Sequence, residues 1–71
     1  MKTYLIEQAL KEDELLYKLA RKANLEPDQL RKEYELYIKI EDAKHDLSRL
    51  QEVADLTQQL IQVQRQNEQP R

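Results

Sequence analysis

Ala23-Asn24-Leu25-Glu26-Pro27-Asp28-Gln29-Leu30 reads as the close of one helix and the opening of the next. The chain contains no glycine, and asparagine is the next residue in line for the left-handed conformation that ends a helix. Leu25 can then fold back onto the last turn. Pro27 belongs at the first position of a new helix, where its missing amide would be unpaired in any case. With Glu26 as N-cap, Leu25 and Leu30 take the hydrophobic-staple positions, and Asp28 meets the positive helix end. The reading places Asn24 at positive φ and Pro27 as the first helical residue.

Upstream of this turn, helix 1 is expected over residues 3 to 24, with Thr3 as its cap. Leu5, Ala9, Leu16, Leu19, Ala20 and Ala23 share a stripe roughly 100° wide. Glu7–Lys11 and Glu14–Lys18 are acid-before-base pairs four apart, each worth about 0.2–0.5 kcal/mol. Glu12 falls near the middle of the stripe, where a buried charge is costly unless paired. Asp13 is a strong N-cap before Glu14-Leu15-Leu16. Helix 1 is therefore one rod, or two short helices broken near residues 11 to 13 with Glu12 in a solvated link.

Downstream, helix 2 is expected to run unbroken from 27 to about 66, with residues 67 to 71 as a frayed tail after a glutamine-rich stretch. Leu36, Ile40, Ala43, Leu47, Leu50, Ala54, Thr57 and Ile61 alternate spacings of four and three, the seam of a left-handed coiled coil. A second stripe, Val53, Leu56, Leu60 and Val63, lies on nearly the opposite side of the same helix. If helix 1 packs antiparallel on helix 2, residues beyond 50 project roughly 27 Å past it at 1.5 Å per residue. Self-association through Leu47, Leu50, Val53, Ala54, Leu56, Leu60, Ile61 and Val63 would cover that overhang.

Composition narrows the function classes. Seventy-one residues make one small domain with a marginal core. Charged residues are 37% of the chain, yet the net charge is −2, so no single sign dominates toward nucleic acid or anionic lipid. Without cysteine there is no thiolate nucleophile or cysteine metal site. Without glycine, phosphate-cradling loops are excluded. No apolar run approaches the roughly 20 residues that span a bilayer, and the start lacks a secretory apolar core. A cytoplasmic protein is the expectation.

Candidate chemistry is sparse. His45 is the sole histidine; without a second histidine or a cysteine it reads as a surface side chain beside Glu41 rather than a metal ligand. The motif of a di-metal bundle needs Glu-x-x-His, and here Asp42-Ala43-Lys44 precedes His45. Tyr4, Tyr17, Tyr34 and Tyr37 carry all the aromatic burial, and their hydroxyls suit the wet rim of an interface. Tyr34 and Tyr37 are the candidate partner surface. No catalytic, cofactor or metal site is expected, and the chain reads as non-enzymatic.

Residues 15 to 34, LLYKLARKANLEPDQLRKEY, resemble the helix-turn-helix of transcription regulators, notably the AraC type, at Leu19-Ala20, Ala23-Asn24-Leu25, Pro27, Leu30 and Tyr34. Asn24 stands where that pattern usually has glycine, Glu26 where it has serine, and Glu33 where it is usually apolar. The resemblance implies that Asp28, Gln29, Arg31 and Lys32 would face the major groove, with Lys18, Arg21 and Lys22 near phosphates. It covers under a third of the chain.

The sequence thus reads as an all-α antiparallel hairpin with a long second helix, assembling into a dimeric or higher bundle. Its expected work is protein–protein contact as an assembly factor, adaptor or chaperone. The alternative is a small DNA-binding regulator with a C-terminal dimerisation helix.

Overall fold

The computed structural model describes residues 2–68, and the protein is all-α. In chain order come α1 (Lys2–Lys11), α2 (Asp13–Ala23), α3 (Pro27–Lys44), one 3₁₀ turn (Leu47–Arg49) and α4 (Leu50–Glu68). α1 begins at Lys2, so Thr3 sits inside the helix rather than capping it. At the other end α4 is helical through Glu68. Residues 67 and 68, expected in the tail, are thus part of the helix, and the rest of that tail lies outside the described residues.

Two helices stand in place of helix 1, divided at Glu12. The Glu12 backbone is extended, with φ −117° and ψ 108°, and its side chain is exposed. A carboxylate at the centre of an apolar stripe thereby stays in water, the cheaper outcome for an unpaired charge. The Glu12 N–H still donates to the Gln8 carbonyl at 2.9 Å, and its own carbonyl accepts from Leu16 N–H at 3.1 Å. α1 and α2 pack against each other across the break, and both pack on α3.

The turn between α2 and α3 follows its local chemistry. Asn24 has φ 60° and ψ 41°, the one positive φ among the described residues. Asn24 N–H donates to the Arg21 carbonyl at 3.1 Å and Leu25 N–H to the Ala20 carbonyl at 2.9 Å, the paired bonds of a Schellman end. Pro27 opens α3, and Gln29 Oε1 accepts from Glu26 N–H at 3.0 Å. The first core forms here: Ala9, Leu16, Ala20 and Leu30 are buried, with Leu15, Leu19, Leu25 and Tyr34 against them. Leu5 and Ala23, members of the expected stripe, are exposed.

The long second helix is not there. The chain leaves α3 at Lys44, passes Asp46 in an extended conformation (φ −131°, ψ 111°) and turns back as α4. Asp46 Oδ1 accepts from Ser48 N–H at 3.0 Å and from the Ser48 hydroxyl at 2.8 Å. Arg49 spans the corner, reaching Asp42 at 3.2 Å and forking onto Glu52 at 2.7 and 2.9 Å. The fold-back makes a second core from Leu36, Ala43, Leu56 and Leu60, flanked by Ile40, Val53 and Val63. Burying each such side chain is worth about 1.5–3 kcal/mol. That outweighs the few backbone bonds lost at the corner, each worth about 0.5–1.5 kcal/mol net. No overhang remains, because the second stripe closes onto its own chain.

α3 is the shared element. α1 and α2 lie along one side and α4 along the other, and α4 touches neither α1 nor α2. Tyr37, past the middle of α3, bonds Gln64, and Glu33, nearer the start of α3, bonds Asn67, nearer the end of α4, so the pair runs antiparallel. The result is a plate, 37 × 28 × 17 Å. Its thinnest dimension, 17 Å, is less than half of its longest.

Candidate functional site

A plate has two faces, and they differ. On one, the trough between α3 and α4 is lined by Lys32, Glu35, Lys39, Gln59, Gln62 and Gln66, with only Leu36 and Val63 apolar at its floor. Tyr37, two residues from both Glu35 and Lys39, projects from the other side of α3 at helical spacing. There its hydroxyl accepts from Gln64 Nε2 at 3.0 Å. The same Tyr37 borders a groove of about 400 Å³ between α1 and α3, lined by Thr3, Leu5, Ile6, Tyr34, Ile38 and Glu41.

Gln64 ties this groove to a stripe on α4. Stepping back from Gln64 by alternating threes and fours gives Ile61, Thr57, Ala54 and Leu50, one side of the helix at the coiled-coil period. Leu47, in the preceding turn, continues it. These are the C-terminal members of the expected seam, and the fold-back leaves them in water: Leu47 is 83% exposed, Leu50 61% and Ile61 37%. Ala54 and Thr57 are exposed as well. Thr57 donates its hydroxyl hydrogen to the Val53 carbonyl at 2.7 Å, so it asks for no polar partner outside the helix. The apolar face therefore joins the α4 stripe, Tyr37 and the α1/α3 groove.

The eight residues expected to form an oligomer interface consequently split. Val53, Leu56, Leu60 and Val63 are occupied within the chain by Leu36, Ile40 and Ala43. Leu47, Leu50, Ala54 and Ile61 are not. Sequence reasoning placed both stripes on one rod and had no ground for separating them. It also missed Leu5, which was assigned to the core of helix 1 and is 44% exposed at the groove, together with Ile6 and Ile38. The groove exists only because α1 crosses α3, a juxtaposition of residues about thirty apart in the chain.

Tyr34 and Tyr37, the candidate partner surface, do come together. Tyr34 is half-buried against the first core. Burial, then the charge of Glu33, then Tyr37 raise its hydroxyl above the ordinary tyrosine range. Of the candidate DNA contacts, Gln29 is engaged with the Glu26 amide and Arg31 pairs with Asp13 at 3.2 Å. Lys32 lies on the polar face beside Glu35. The helix-turn-helix outline is present as α2, turn and α3, but two of the four residues expected to face the major groove, Gln29 and Arg31, are bound within the chain, and α4 runs alongside α3.

His45 is exposed at the end of α3, near Thr3, Glu7, Glu41 and Asp42. Among the described residues no group of three metal-ligating side chains gathers, and no helix is long and apolar enough to cross a membrane.

Searches with this chain against protein-family models, curated proteins and solved structures return no match.

Proposed function

We propose that this chain is a small non-enzymatic protein-interaction module that works in an assembled state, as an assembly factor or adaptor does, through the apolar face of its plate. The observation that carries the reading is the exposed stripe Leu47, Leu50, Ala54, Thr57 and Ile61, whose continuation on α4, Gln64, bonds Tyr37 at the edge of the α1/α3 groove. Soluble chains seldom leave so continuous an apolar surface in water unless something covers it. The area agrees. A compact protein of 8.6 kDa is expected to expose about 4,700 Å², and this one exposes 5773 Å².

A pair of charge substitutions tests the reading. Leu50→Glu on the apolar face should reduce assembly, seen as a smaller sedimenting species and a melting midpoint that no longer rises with concentration. Glu35→Lys on the polar face should leave both unchanged. Equal effects from the two faces, or none from either, would count against the assignment of the working surface. DNA binding makes a different prediction. Affinity for duplex DNA would fall steeply with salt and with Lys32→Ala, while Leu50→Glu would matter only through dimerisation.

A further inference from the structure

We infer that the occupant of the apolar face is a second copy of this chain, seated so that Leu47 and Leu50 of each copy enter the groove beside Tyr37 of the other. The inference rests on the apolar face being the working surface. It adds who covers that face and how.

Area is the first argument. The plate exposes about 1,000 Å² more than a compact chain of its mass. A standard protein interface takes about 800 Å² from each partner, and a face measuring 37 × 28 Å has room for it. The second argument is shape. One face carries both a protrusion, Leu47 and Leu50 at 83% and 61% exposure, and an open apolar groove of about 400 Å³. Two features on one flat surface can always be matched by a two-fold axis lying in the contact plane and bisecting the line between them. The operation makes each contact twice, as a two-fold interface requires.

Charge is the third argument. Glu41 at the groove rim already pairs with Lys44 at 3.2 Å, and the stripe from Leu47 to Ile61 that faces outward holds no ionisable residue in its own register. Nothing on this face calls for a basic or acidic partner. A like face, apolar with tyrosine at its edge, satisfies it.

Because the chain has no cysteine, crosslinking can read the arrangement directly in this chain. The double variant Tyr37→Cys/Leu47→Cys is oxidised at micromolar concentration and run without reductant. Within one chain Tyr37 sits two turns before the end of α3 at Lys44, about 10 Å of helical rise, and Leu47 lies past the corner beyond that end, outside the roughly 4.4–6.8 Å between α-carbons that a disulfide bridges. The expected result is a covalent dimer in the double variant and little in either single variant. Leu5→Lys, at an exposed groove position, should weaken the dimer about hundredfold with helix content unchanged.

A dimer by sedimentation whose double variant links no better than the single ones would overturn this arrangement and leave the apolar-face reading standing. Dimerisation untouched by Leu5→Lys would do the same. An unmodified chain that sediments as a monomer at the highest attainable concentration would remove self-association altogether. A foreign protein that binds in a Leu50-dependent way to such a monomer would then mark the occupant as another chain.

Discussion

The two corners of this molecule reverse the chain equally well and announce themselves unequally. At Asn24 the turn is built from conformations that few residues accept: a positive φ at a residue other than glycine, followed by a proline fixed for helix entry. At Asp46 every residue is compatible with helix. His45, Asp46, Leu47 and Ser48 could each sit in a continuous rod at a modest penalty. The corner forms because the second stripe of α4 finds Leu36, Ile40 and Ala43 on the way back. One corner is local chemistry, and the other is a packing decision that Asp46 and Arg49 then secure.

The largest expected effect separates these two causes. Leu56→Ala or Leu60→Ala removes the reward for folding back and should cost about 2–5 kcal/mol each, read by denaturant unfolding. Amide exchange should quicken along α4 and the Asp46 corner before it does around Asn24. Equal acceleration everywhere would mean that the two cores unfold as one unit, and the contrast between corners would fail. These positions bear on the fold itself, since Leu56 and Leu60 are core residues here rather than an interface.

Next in size is the Asn24 turn. Asn24→Val should destabilise by about 1–2 kcal/mol, since a branched β-carbon clashes in the left-handed region. Asn24→Gly should be neutral or slightly stabilising. A valine variant as stable as the parent in thermal melts would show that this corner too is imposed by packing.

The smallest effects belong to the polar groups at the second corner. Ser48's hydroxyl and amide hold the Asp46 carboxyl below the usual carboxylate range. Arg49 does the same for Glu52, and Glu52 first, then Asp42, push the Arg49 guanidinium upward. A depressed carboxylate stabilises the fold fully above its unfolded value, near pH 4, and loses that contribution as pH falls through its lower folded value. Acidification below about pH 4 should therefore loosen the Asp46 corner, seen as faster exchange at the start of α4. Asp46→Ala should give a smaller drop in melting midpoint than Asn24→Val and should remove part of this acid sensitivity. An Asp46→Ala chain with an unaltered midpoint at pH 7 would leave the corner to packing alone.

Much of the molecule was legible residue by residue. The helical content, the caps around Asn24 and Pro27, and the apolar character of both α4 stripes follow from short-range rules, because they depend on φ, ψ and a 3.6-residue period. The break at Glu12 was one of two courses open in the sequence, and the solvation of a single carboxylate favours it. The candidate surface was half legible. Tyr34 and Tyr37 were marked by their amphipathic side chains, whereas Leu5 looked like core and the groove beside it was invisible, since no local pattern records that α1 crosses α3.

What the sequence by itself determined is that these residues make helices, that the chain reverses at Asn24, and that two apolar stripes divide the last third. Which stripe is core and which is surface only the tertiary structure decided. Val53, Leu56, Leu60 and Val63 went inside, and Leu47, Leu50 and Ile61 stayed out. The periodicity of a helix specifies a direction for each side chain but not the neighbour waiting there. Burial energy is realised only when residues some twenty apart in the chain meet.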